Sequence, residues 1–66
     1  MEIRYYIAYR KILKNGNTRN YRREFKNCDK ALEYARDKMY DDTCINVSGY
    51  EHEIYDGVTY CHRLAL

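Results

Sequence analysis

The sequence predicts an α+β domain: a four-stranded antiparallel sheet in β-β-α-β-β order, with one helix packed on one face. Three observations predict it. Apolar and aromatic residues alternate with period two toward both ends of the chain, a run with helical spacing lies between them, and each alternating region is split by a turn sequence, Asn15-Gly16 or Asp56-Gly57. At 66 residues and 8.1 kDa the chain holds one domain, residues 1–66. Hydrophobic residues make up 45% and charged ones 33%, which places it with folding chains, not disordered ones. Nine of the hydrophobic residues are Tyr, so the core has to include rings that carry a hydroxyl.

The first strand is expected over Glu2–Leu13, where Ile3, Tyr5, Ile7 and Tyr9 fall on one face and Arg4, Tyr6, Ala8 and Arg10 on the other. The second is expected over Thr18–Lys26. A two-residue Asn15-Gly16 turn would set Ile7 opposite Glu24, placing charge on the apolar face. A three-residue loop, Lys14-Asn15-Gly16 with Gly16 left-handed, sets Tyr9 opposite Tyr21 and Tyr5 opposite Phe25 and keeps that face apolar, so this register is preferred.

The helix is expected over Cys28–Tyr40, with Asn27 as N-cap, Asp29 in the first turn, and Cys28, Ala31, Leu32, Ala35 and Met39 as its buried stripe. Asp41-Asp42 sits at the negative end of the helix dipole and ends it. Two more strands follow, Thr43–Tyr55 and Val58–Ala65, joined by Asp56-Gly57. This hairpin puts Gly49 opposite Leu64 and Glu51 opposite His62. Ile45, Val47, Leu64 and Leu66 then share one face, with Cys44, Tyr50, Ile54, Cys61 and Arg63 on the other. Gly49 reads as a bulge position.

Charge is segregated along the chain. Met1 to Lys26 carries eight Lys/Arg against Glu2 and Glu24, a balance of +6; the remainder carries four bases against eight acids, a balance of −4. The basic half suits a polyanion or an acidic protein as partner. Cys28, Cys44 and Cys61 are too few and too scattered for a disulfide framework or a CxxC knuckle, and read as reduced thiols of a cytoplasmic protein. A zinc site from Cys44, Cys61, His52 and His62 lacks a recurrent ligand spacing. No apolar run reaches the length needed to cross a bilayer, and no segment resembles a signal peptide.

No catalytic constellation stands out, and neither metal nor cofactor is expected. His62 beside Glu51 and Cys61 offers a base and a nucleophile on paper, but an exposed sheet face has no pocket to exclude water, and a cross-strand salt bridge accounts for the pair. Asp41 and Asp42 lack the context of a calcium loop. The remaining signal is the helix-free sheet face, where Arg4, Tyr6, Arg10, Ile12, Asn20 and Arg22 point outward with Tyr50 and Arg63 as neighbours. Arg mixed with Tyr is the composition of binding hot spots and of nucleotide clamps, although strands favour Tyr in any case. Lys11, Lys14, Arg19 and Arg23 extend the basic surface along the hairpin past the helix.

Two resemblances follow from these residues. The stretch from Arg4 to Ala35 has Tyr5 and Tyr9 in the first strand, a Gly16-Asn17 turn, and Phe25-Lys26-Asn27-Cys28-Asp29-Lys30-Ala31-Leu32-Glu33-Tyr34-Ala35. It resembles the strand-turn-strand-helix run of arm-type DNA-binding domains of phage integrases, which insert their sheet into the DNA major groove. By length, charge segregation and element order the whole chain is similar to small phage-encoded anti-CRISPR and other anti-defence proteins. That resemblance implies a non-enzymatic inhibitor occupying a host protein or ribonucleoprotein complex.

Arg4, Tyr6, Arg10, Arg22 and Arg23 are the expected contact residues. Glu33, Asp37, Asp41 and Asp42 form the alternative face, able to imitate phosphates. Direct nucleic-acid binding by the basic hairpin is the second reading, and sequestration of a nucleotide second messenger between protomers the third. A homodimer is an expected way for so thin a domain to complete its core.

Overall fold

The computed structural model describes every residue from Met1 to Leu66. Strands β1 (Glu2–Ile12) and β2 (Thr18–Phe25) form the first hairpin, helix α1 (Cys28–Met39) crosses over, and β3 (Cys44–Tyr55) and β4 (Val58–Arg63) form the second. The sheet order is β2-β1-β3-β4, so the two longest strands are central and the helix carries the chain across β1 to place β3 on its far side. The expected fold class is the observed one. No helix is long and apolar enough to cross a membrane.

Both hairpin registers match the sequence reading. Tyr5 lies opposite Phe25 and Tyr9 opposite Tyr21, and the Lys14-Asn15-Gly16 loop closes with Leu13 donating to the Asn17 carbonyl at 2.7 Å and Gly16 to that of Leu13 at 3.0 Å. Gly16 takes φ +85°, the left-handed geometry such a loop requires. In the second hairpin Tyr55 faces Val58 and Glu51 faces His62. Leu64 donates to the Gly49 carbonyl at 2.8 Å, but the ladder ends at Arg63 and Leu66 does not extend it to Val47.

The bulge lies elsewhere than expected. Against β1, β3 shifts by one residue between the Ala8–Ser48 and Arg10–Ile45 pairs, and Asn46 adopts φ +55°. Asparagine is among the few L-residues that tolerate this conformation. The extra residue inverts the facing beyond it: Cys44 goes to the helix side and is buried, while Ile45 joins the open face, the reverse of the alternation read from sequence. Gly49 has a different role. A Cβ there would stand 3.2 Å from Ile7 Cδ1 and from Leu64 Cβ and Cδ1, so glycine lets those side chains close over the strand.

The core is thin. Ile7, Ala31 and Ala35 are fully buried, with Tyr5, Phe25, Tyr34 and Val47 packed around them. Alanine at 31 and 35 allows the helix backbone to approach the sheet closely. Asn27 starts the helix as expected, its Oδ1 accepting from the Lys30 N–H at 3.1 Å. Met39, expected in the buried stripe, is half exposed, because it lies on the wall of an open groove with Leu32 and Leu66.

Tyrosines close the β2 side of the core. Tyr9 stacks on Tyr21 with centroids 5.4 Å apart, Tyr34 tilts against Phe25 at 5.2 Å, and the Tyr9 and Tyr34 hydroxyls hydrogen-bond at 3.3 Å. Arg23 and Lys38 lie over these rings at 5.1–5.3 Å. The hydrogen bond to Tyr34 and then burial push the Tyr9 phenol up to about 12, from an ordinary 10.0. A group held neutral in this way contributes stability that is intact below pH 10 and lost as the pH rises toward 12. Urea denaturation followed by circular dichroism should therefore show stability falling steeply across that window. Tyr9→Phe, having no phenol to ionise, should flatten this alkaline limb; an unchanged limb would show that Tyr9 is not its cause.

Candidate functional site

With α1 on one side, the opposite sheet face is open, and its residues follow from the strand registers: Thr18, Asn20, Arg22 and Glu24 from β2; Glu2, Arg4, Tyr6, Ala8, Arg10 and Ile12 from β1; Ile45, Ser48, Tyr50, His52 and Ile54 from β3; Thr59, Cys61 and Arg63 from β4. Four of the five expected contact residues, Arg4, Tyr6, Arg10 and Arg22, share this face. Arg23 does not. It follows the alternation of Tyr21 and Phe25 onto the helix side, where its guanidinium lies 5.3 Å from the centre of the Phe25 ring and 5.1 Å from that of Tyr34.

The four differ in what their charges already do. Arg4 is neutralised within the protein, with Nη2 2.6 Å from Glu2 and Nη1 2.9 Å from Glu24. Its hydrogen bond to Glu2, then the Glu2 and Glu24 charges, raise its pKa above the usual arginine value. Arg22 lies over the Tyr6 ring at 4.6 Å, and Tyr6 in turn meets His52 at 4.5 Å, making a run of guanidinium, phenol and imidazole across β2, β1 and β3. Arg10 is steadied by Nε donating to Asn20 Oδ1 at 3.2 Å. Neither Arg10 nor Arg22 has a carboxylate within ion-pair distance.

Between these two arginines the surface is concave. Ala8, Arg10, Asn20, Arg22 and Asn46, with Tyr9 and Tyr21, line a depression of about 430 Å³. Its physical origin is the methyl side chain of Ala8 among long neighbours, beside the bend that the Asn46 bulge puts in β3. Two guanidiniums without carboxylate partners lie beside a small apolar floor, one held by an amide and one by a ring, and guanidinium is the side-chain group whose fork of donors matches an anion with several oxygens, such as a phosphate.

The alternative acidic residues do not form a comparable surface. Glu33 and Asp37 are exposed on a helix that carries Asp29, Glu33 and Asp37 against Lys30, Arg36 and Lys38, a net charge of zero. Asp41 is engaged locally: its Oδ1 accepts from the Thr43 hydroxyl at 2.7 Å and N–H at 2.9 Å, which hold its carboxyl below the usual range. Asp42 is exposed in the same turn.

His62 lies opposite Glu51 in register, but its closest carboxylate is Glu53, at 4.0 Å, and Cys61 points to the other face. Cys44 and His62 lie on the helix side while His52 and Cys61 lie on the open one, and no three potential metal ligands converge. Comparison with protein-family models, curated proteins and solved structures returns no match, so the site's geometry carries the functional argument.

Three parts of the site are not among the residues the sequence singles out: Ala8 as its floor, the Asn46 bulge and His52. The first has a local signal, since Ala8 is the only small residue among the outward positions of β1. The other two depend on how β3 pairs with β1.

Proposed function

We propose that this chain is a small non-enzymatic binding protein that holds nucleic acid by its phosphate backbone, using the open face of the first hairpin. The observation that carries this reading is the unpaired Arg10–Arg22 couple flanking the Ala8 depression. The Tyr6 ring is already occupied by Arg22 and His52 within the protein, which favours its role as a post for Arg22 over that of a platform for bases. Binding is then tolerant of sequence and steep in salt. Lys11, Lys14 and Arg19, toward the hairpin tip, add diffuse attraction. Three free cysteines support a reducing, cytoplasmic setting.

Inhibition of a host nucleic-acid-handling complex, the reading drawn from anti-defence proteins, would use the same face. Direct nucleic-acid contact is preferred because Arg10 and Arg22, with no carboxylate partner beside the Ala8 depression, suit phosphate oxygens; inhibition by imitation of phosphates would need a concentrated acidic surface, and the helix acids alternate with bases.

The test is a gel shift with single-stranded and duplex DNA and RNA at near-physiological salt, with Arg10→Glu and Arg22→Glu as variants. Wild-type protein should shift both forms, and each reversal should weaken binding by about 10- to 100-fold. A logarithmic salt plot should slope at about −2 or steeper for two phosphate contacts. Absence of a shift even at low salt defeats the nucleic-acid reading. Capture of a host protein that the same reversals release would instead favour inhibition.

A further inference from the structure

We propose that the free edge of β4 is an interface for a second copy of this chain, which pairs antiparallel to it about a two-fold axis and joins the two sheets into one. The two edges of the sheet are built differently. β2 carries Arg19, Arg22, Arg23 and Glu24 within eight residues, the density of charge that protects an edge from pairing. β4 reads Val-Thr-Tyr-Cys-His-Arg; Arg63 at its end is the one fixed charge, it has neither proline nor a bulge against β3, and every residue is exposed. Its hydrogen-bonding groups are available. Because Leu64 bonds inward to Gly49, antiparallel alternation turns His62, Tyr60 and Val58 inward too, and leaves the N–H and C=O of Thr59, Cys61 and Arg63 on the open edge.

Self-complementarity identifies the occupant as a second copy. On the helix side of the sheet, the turn end of the β3–β4 hairpin bears an apolar strip of Tyr55, Val58 and Tyr60, which are 56%, 49% and 50% exposed. Toward the other end of β4, on the same side, a groove of about 400 Å³ opens between α1 and the C-terminal residues, lined by Leu32, Met39, Tyr40 and Leu66 among others. A two-fold axis normal to the sheet and passing near Cys61 sets Val58 against Leu64 of the second copy and swings each strip toward the other copy's groove. One patch thereby satisfies itself, as an isologous contact requires.

The chain's shape leaves surface for such a contact. A compact monomer of this mass exposes about 4,500 Å², whereas this chain exposes 5144 Å². The surplus of about 600 Å² goes with an extended shape, 45 × 21 × 16 Å. The radius of gyration agrees, at 13.2 Å against about 11 Å for a compact chain of this length. Arg10, Asn20, Arg22 and Tyr6 take no part in this interface, so its test stands apart from that of nucleic-acid binding.

Sedimentation velocity across a concentration series, with reductant present to keep Cys61 a thiol, provides the test. Wild-type protein should pass from one-copy to two-copy mass as concentration rises. Cys61→Pro removes only an N–H that faces the open edge, Tyr60→Lys puts charge on the strip, and Met39→Lys puts it in the groove. Each should move the transition to at least tenfold higher concentration with an unchanged circular dichroism spectrum, whereas Arg22→Ala, on the opposite edge, should leave it in place. Tyr60 and Met39 are exposed, so their variants test the interface even if the proline is not tolerated. A wild type that stays monomeric to near-millimolar concentration overturns the proposal. So does a dimer that resists both lysine substitutions, or one that Arg22→Ala weakens.

Discussion

Truncating Ile7 to alanine is expected to cost about 3–4 kcal/mol, a large share of the roughly 3–10 kcal/mol available to a domain of this length. Ile7 is the one large side chain that is fully buried, and the groups around it cannot fill the space it would leave. Ala31 and Ala35 above it are already methyls, and Gly49 beside it has no side chain. Urea titration should show the midpoint collapsing, with part of the chain unfolded before denaturant is added. A loss of 1 kcal/mol or less, roughly what an exposed isoleucine would show, would mean that the core is not organised around this residue. Gly49→Ala probes the same point from the other side. Its Cβ would press at 3.2 Å on Ile7 Cδ1 and Leu64, and Ile7 has no room to retreat, so about 1–3 kcal/mol should be lost. Ile7→Val deletes that δ-methyl. It should therefore cost less in the Gly49→Ala background than in wild type, a coupling that a double-mutant cycle reads directly.

What the sequence discloses of this fold is what neighbours along the chain decide. Gly16 sets the first hairpin register, Asp56-Gly57 the second, and Asn27 the start of the helix; each acts over a few residues, and each is found where the pattern puts it. The pairing of β1 with β3 is of another kind. Arg4 meets His52 across 48 positions of chain, and no local preference encodes that neighbour. His52 therefore belongs to the site through the order of the strands in the sheet. The Asn46 bulge is hard to read for a related reason: one extra residue leaves composition and propensity unchanged, yet exchanges the facing of Cys44 and Ile45. Arg23 is the contrary case. The alternation that places Tyr21 and Phe25 under the helix also places Arg23 on that side, so its position was legible and only its charge suggested otherwise.

Arg22 and Arg23 consequently offer a test in which adjacent residues of identical chemistry should fail in opposite ways. Arg22→Glu should weaken nucleic-acid binding by about 10- to 100-fold and lower the magnitude of the salt slope by about one. Its effect on stability should be small, since it loses a single surface contact with Tyr6. Arg23→Glu should do the reverse. It removes a cation from over Phe25 and Tyr34 and sets a carboxylate against those ring faces, so about 1 kcal/mol of stability should go. Binding should fall only by the modest, salt-screened amount due to the change in net charge, because the side chain lies on the far side of the sheet from Arg10 and Asn20. Gel shifts and urea titrations on the two variants separate these outcomes. Equal losses of binding would mean that the hairpin attracts polyanions by total charge, with neither face preferred, and the depression over Ala8 would no longer be the site. A larger binding loss from Arg23→Glu would move the contact surface to the helix side, where that arginine lies over Phe25 and Tyr34. The expected pattern, binding lost at 22 and stability lost at 23, requires a sheet with one covered and one open face.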